Sequence, residues 1–126
     1  MTRKIIHTGS APKAIGPYSQ AVAAGGMVFL SGQVGLDPAS GELVKGGLEA
    51  EARRAFDNLR AVADAAGPGL GAAARVTIYL TDLGQFATAN RIMQEYFREP
   101  YPARVTIGVA ALPKGAAIEV DCILGP

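Results

Sequence analysis

The run Tyr101-Pro-Ala-Arg-Val-Thr-Ile-Gly-Val-Ala-Ala-Leu-Pro-Lys-Gly-Ala-Ala-Ile-Glu-Val120 carries two alternating segments with a turn between them. In the first, Val105, Ile107 and Val109 fall on one side of a strand, with Arg104, Thr106 and Gly108 on the other. Leu112–Gly115 supplies the turn, because proline fixes φ and glycine tolerates a positive one. In the second segment Ile118, Val120 and Cys122 form the apolar side, which leaves Glu119 and Asp121 opposite. Read as neighbouring strands, the two segments bring Arg104 and Glu119 to one shallow surface lined by small side chains. Such a pair suits a small carboxylate-bearing ligand, held by the arginine and offered a proton-transfer group by the glutamate. It also suits an ordinary cross-strand ion pair, which contributes a few tenths to about 1 kcal/mol and does no chemistry.

Working outward from this run, Leu48–Ala66 reads as a helix, with Leu48, Ala52, Ala55, Phe56, Leu59, Val62, Ala63 and Ala66 at helical spacing. Glu49, Glu51, Arg53, Arg54, Asp57, Arg60 and Asp64 decorate its outward side, and Gly67-Pro68 stops it. Arg75–Leu80 alternates as a half-buried strand. Thr81-Asp82 with Gln85 then opens a second helix that runs to about Arg98, striped by Phe86, Ala89, Met93, Tyr96 and Phe97. Asn90 lies beside that stripe, four residues after Phe86, where its amide either bonds nearby backbone or points into a site.

Toward the N-terminus, Lys4–His7 reads as a short strand, and Ala14-Ile-Gly-Pro-Tyr-Ser-Gln20 as a loop that sets Tyr18 and Ser19 before an apolar run. Ala21–Ala24, Gly25-Gly26 and Met27–Val34 form a hairpin, since paired glycines accept the φ angles of a tight turn. Its second strand is apolar on both faces, which predicts burial on both sides, with another subunit as one covering layer. Ser31-Gly32-Gln33 interrupts it, marking either a bulge or the close approach of a ligand or backbone. The element order β-β-β-α-β-α-β-β predicts an α+β fold in which two helices cover one face of a six-stranded mixed sheet.

At 126 residues the chain fits a single domain over 1–126, and 49% hydrophobic residues with 18% charged make it globular. A formal charge of +1 gives no footprint for nucleic acid or a membrane surface. One cysteine and one histidine build neither an internal disulfide nor a metal site. Met1–Gly9 has no apolar run of signal-peptide length, and no stretch reaches the length of a bilayer span, so a cytoplasmic protein is expected.

Several motifs in register resemble the Rid family, the reactive intermediate deaminases also called the YjgF family. They are Gly16-Pro-Tyr-Ser-Gln-Ala21, Ser31-Gly-Gln33, Thr81-Asp-Leu83 with Phe86 and Asn90, Pro102-Ala-Arg104, Ala111-Leu-Pro-Lys114 and Ile118-Glu119. The resemblance covers nearly the whole chain. It implies a chorismate-mutase-like α+β fold assembled as a homotrimer with clefts between subunits. It further implies cofactor-independent hydrolysis of enamines and imines, such as 2-aminoacrylate, 2-iminopropanoate and 2-iminobutanoate, to 2-oxo acids and ammonia. Carried over to this chain, Arg104 holds the substrate carboxylate and Glu119 positions or activates water. Tyr18, Ser31 and Asn90 line the cleft, completed by backbone groups near Gly32 and Thr106.

Thr106 stands where many members carry cysteine, so a sulfur nucleophile is not available there, and Cys122 lies on the apolar side of the last strand. Imine hydrolysis needs water and a proton shuttle rather than a covalent intermediate, so the departure bears on substrate preference. Two other functions accompany the resemblance: a regulatory module that binds a 2-oxo acid without turnover, and a ribonuclease or translation inhibitor. The second fits poorly with a chain that has no basic run, no tryptophan and a single histidine.

Overall fold

The computed structural model describes residues 2–126. In chain order the elements are β1 (Lys4–Ile6), β2 (Ala21–Ala24), β3 (Met27–Val34), α1 (Gly47–Ala66), β4 (Ala73–Leu80), α2 (Phe86–Met93), β5 (Ala103–Gly108) and β6 (Ile118–Leu124). The strands form one six-stranded sheet in the order β1-β2-β3-β6-β4-β5. Only the β4–β5 pair is parallel. That pair is joined through α2, as a parallel connection requires, and α2 packs back onto the sheet beside α1. The expected α+β architecture, six strands with two helices, is therefore the one observed.

The core lies between the helices and one face of the sheet. Val76, Ile78 and Leu80 of β4 and Ile118, Val120, Cys122 and Leu124 of β6 are buried beneath Ala52, Ala55, Phe56, Leu59, Val62 and Ala63 of α1. Phe56 stacks on Tyr96 at 5.2 Å between ring centroids and meets Phe97 edge-on at 6.1 Å. The β2–β3 hairpin turns at Gly25-Gly26, both with positive φ (60° and 79°), as the glycine pair predicts.

Three readings of the sequence are corrected. The strands that carry Arg104 and Glu119 are not neighbours, because β4 lies between β5 and β6. Residues 109–117 are too long a connection for a tight hairpin, and they carry the chain across the end of β4, where Val109 N–H donates to the Leu80 carbonyl and Thr81 N–H to Ala117. The second helix ends at Met93 rather than near Arg98. Beyond it the chain tightens into turns, with Glu95 and Tyr96 bonding three residues back, while the Tyr96 hydroxyl reaches the Arg53 carbonyl and Asp57 on α1. Glu51 is buried rather than outward. Within the chain β3 is covered on one side only: Val28 and Leu30 are buried, while Phe29 is 46% exposed. Register places Ile5, Val22, Phe29 and Ile123 in one row across the uncovered face. Among the described residues, no helix is long and apolar enough to cross a membrane.

Candidate active site

Each of the two charged groups sits in its own groove. The Glu119 groove, about 580 Å³, is lined by Tyr18, Ser31, Gly32, Lys114 and Glu119 with parts of the 12–15 loop. Buried Gln20 holds that loop: its Oε1 accepts from Thr8 N–H at 2.7 Å, and its Nε2 donates to the carbonyls of Thr8 at 3.1 Å and Pro12 at 2.9 Å. The Ser31 hydroxyl donates to the Ser19 carbonyl, and Ser31 N–H to Gln20, so the Tyr18–Gln20 segment is fastened along β3. The register of β3 against β6 shifts between Leu30 and Gln33, the bulge that Ser31-Gly32 foreshadows. The close approach is also present, since a Cβ on Gly32 would lie 2.0 Å from Glu119 Oε2. The Glu119 carboxyl therefore lies across the Gly32 backbone.

Glu119 is partly buried at the start of β6, and Glu51 on α1 fixes that start by accepting the Ala117 N–H at 2.8 Å. Burial pushes the Glu119 carboxyl above the ordinary carboxylate range, and the neighbouring Asp121 charge pushes it further the same way. A carboxyl group perturbed upward in a groove is a candidate for accepting and returning protons.

The Arg104 groove, about 380 Å³, is lined by Asn90, Met93, Gln94, Tyr101, Pro102 and Arg104. Arg104 projects from edge strand β5 toward α2. Its guanidinium lies 5.2 Å from the centroid of the Phe86 ring, and Nη1 donates to Asn90 Oδ1 and approaches Met93 Sδ at 3.9 Å. Asn90 thus points at the arginine rather than at nearby backbone, and its spacing from Phe86 puts both on the same guanidinium. Thr106 shares this face of β5, and its hydroxyl oxygen is buried without a hydrogen-bond partner among the described residues.

Arg104 and Glu119 do not share a surface. Arg104 pairs with Val76, and Val76 with Cys122, all on the helix-covered face, whereas Glu119 is three residues from Cys122 and faces the open side. The expectation of one common surface fails because the apolar residues of β5 and β6 point oppositely. Ile118 and Val120 enter the core, while Ile107 is 40% exposed on the open face. Tyr18, Ser31, Gly32 and Glu119 come together, as do Asn90 and Arg104, but the two groups remain apart within one chain. Glu51 and Phe86 were not singled out as site-forming from sequence. Cys122 is buried in the core, where desolvation, with Asp121 adding, pushes its thiol to about 12. Among the described residues, no three of His, Cys, Asp and Glu converge as metal donors.

Fold and geometry define a small α+β domain with a groove that holds a guanidinium and a groove that holds a carboxyl group, on opposite faces of its sheet. Residues 8–124 match the family model described as Endoribonuclease L-PSP. The chain is 53% identical to protein DfrA of Myxococcus xanthus, over 98% of this chain and 95% of that one. It is 46% identical to the 2-iminobutanoate/2-iminopropanoate deaminase of Bos taurus, over 98% and 90%. The crystal structure of RidA from Psychrobacter sp. PAMC 21119 superposes with a TM-score of 0.93 at 44% identity, covering 98% of this chain and 99% of that one. The chain belongs to the Rid family, also called the YjgF family.

Proposed function

We propose that the chain hydrolyses small 2-imino acids to 2-oxo acids and ammonia, acting in the cytoplasm with water as the only co-reactant. Its substrates in this reading are 2-iminopropanoate, in tautomeric balance with 2-aminoacrylate, and 2-iminobutanoate. The reacting site is assembled between copies of a homotrimer, where the Arg104 groove of one copy meets the Glu119 groove of another. The observation that carries the proposal is the split itself: each face holds half of what the reaction needs, and neither half is sufficient alone. The deaminase name borne by a relative 46% identical supports the reaction class. The exposed row of Ile5, Phe29 and their neighbours supports a covering copy, since a contiguous apolar patch of this kind favours association.

In this site Arg104, steadied by Asn90 and the Phe86 ring, takes the substrate carboxylate in a charge-assisted contact that contributes roughly 1.5–3 kcal/mol. Water adds through its oxygen to C2 of the protonated imine, giving a carbinolamine. Glu119 takes a proton from that oxygen and returns one to the nitrogen. The C–N bond then breaks, its electron pair leaving with ammonia while the C=O bond forms, and the remaining hydroxyl proton passes through the Glu119 carboxylate to the ammonia, which leaves as ammonium. The carboxyl group need supply only about 10²–10⁴-fold as acid and base, because the protonated imine is already electrophilic. Tyr18 and Ser31 wall the carboxyl side, Gly32 leaves the space that Glu119 occupies, and the unpaired Thr106 hydroxyl is the polar group beside Arg104 on β5.

The test generates 2-iminopropanoate and 2-iminobutanoate in place with a dehydratase and follows ammonia release against the spontaneous rate. Arg104→Ala and Glu119→Ala are each expected to fall to the spontaneous rate while remaining folded by circular dichroism. Full activity in both would refute the assignment, and ligand binding without any accelerated release in the unaltered protein would favour a sensing module.

A further inference from the structure

Glu119 is not alone on the open face of the sheet. Two residues along β6 and on the same side, Asp121 accepts a hydrogen bond from the Tyr79 hydroxyl of β4 at 2.8 Å. Alternate residues of a strand stand about 7 Å apart, within the range over which two partly buried carboxyl groups repel. Tyr79 pairs in register with Glu119, so the bond runs diagonally and ties the Asp121 carboxylate toward the strand position directly across from Glu119. The ladder between β4 and β6 already extends from Ala73–Leu124 to Leu80–Ile118, so the side-chain bond is not needed to hold the strands together.

The other groups facing Glu119 oppose Asp121 in sign or are neutral. Lys13, Lys114 and Tyr18 line its groove, Val34 lies across from it on β3, and Glu51 is engaged with Ala117 on the helix side. In the assembled site a second copy would add Arg104. Cations of this kind draw a proton off a neighbouring carboxyl group, and a site that must return a proton to nitrogen needs a counterweight. Burial raises the Glu119 carboxyl first, and Asp121 is the one charged group that raises it further.

We infer that Asp121, aimed by the Tyr79 hydroxyl, is a positioning residue that holds the transferable proton on Glu119 against the pull of the surrounding cations. The inference rests on the reading of Glu119 as the proton-transfer group and adds the device that tunes it. Asp121→Asn removes the charge while its amide oxygen still accepts from Tyr79. Tyr79→Phe leaves the charge but frees it to turn toward solvent.

Carbon-13 NMR of glutamate-labelled protein follows the Glu119 carboxyl, identified as the resonance missing from Glu119→Gln. Its titration is expected to move to lower pH in Asp121→Asn and, by less, in Tyr79→Phe, and the limb of the pH–rate profile that Glu119→Gln abolishes should move with it. An unmoved titration in folded Asp121→Asn overturns the inference. If that variant does not fold, an unmoved titration in Tyr79→Phe does so. Should the titration move while the unaltered protein fails to accelerate imine hydrolysis, the coupling stands and the proposed reaction falls.

Discussion

At Gly32 a methyl group has no room, because it would meet Glu119 Oε2 at 2.0 Å and Cδ at 2.9 Å. Gly32→Ala should therefore push the carboxyl group out of its groove, and a displacement of this size from a reacting geometry costs about 10²-fold in rate. Ammonia release should fall by that order with the thermal midpoint little changed, whereas an unchanged rate would mean that the position of Glu119 is immaterial. Glu119 also leaves a mark on stability. Its proton is bound more tightly in the folded chain than in the unfolded one, so between the ordinary carboxyl range and its raised folded value the folded state holds more protons. Stability is thus lost as pH rises through that window. Urea midpoints of the unaltered protein should decline relative to Glu119→Gln over the window, and a pH-independent difference would show that the carboxyl group is not perturbed. Among single residues the sequence is informative wherever spacing speaks: Phe86 and Asn90, four apart, do converge on Arg104. Thr106 is different, since no pattern in the chain distinguishes a hydroxyl that packs from one left without a partner.

Among the elements, α1 does more than cover the sheet. Glu51, Ala55, Asn58 and Val62 form one buried row, in which Asn58 Nδ2 donates to the carbonyls of Val34 and Leu36 and Glu51 accepts from Ala117. The spacing of that row is helical, so the signal was present, but the Glu51 carboxylate within it reads as outward-facing because burial of such a group depends on partners from distant strands. Glu51→Ala leaves the Ala117 N–H unpaired and should cost about 1–3 kcal/mol in urea unfolding. Glu51→Gln, which keeps an acceptor oxygen, should cost less, and equal losses for the two variants would assign the effect to packing alone. Strand and helix limits followed alternation and periodicity closely except at α2, where Asp82 caps a 3-10 turn over Leu83–Gln85 before the helix begins at Phe86, and at its far end. There Tyr96 and Phe97 keep their contacts with Phe56 although the backbone has left the helix, so side-chain spacing outlasted the helical hydrogen bonds. The order of the strands was not legible, because alternation states which residues share a side of one strand and says nothing about which strand lies next to it.

For the whole molecule, the decisive feature is that Ile107 of β5 and Phe29 of β3 mark a second surface, while Val28 and Leu30 on the other side of β3 enter the core. Ile107 and Phe29 remain exposed on the face that also carries Glu119. In the proposed assembly that face is covered by another copy, so Phe29→Asp should yield a folded monomer by analytical ultracentrifugation that no longer accelerates imine hydrolysis. A fully active monomer would place the whole site within one chain. The most direct test of a divided site is complementation between two inactive variants. Arg104→Ala and Glu119→Ala chains, carrying different tags, are denatured together, refolded and purified through both tags. If each site takes its arginine from one copy and its glutamate from another, every trimer that carries both tags has one intact site in three, and ammonia release should recover to about a third. Mixed assemblies that carry both tags yet release ammonia no faster than either variant alone would contradict the account.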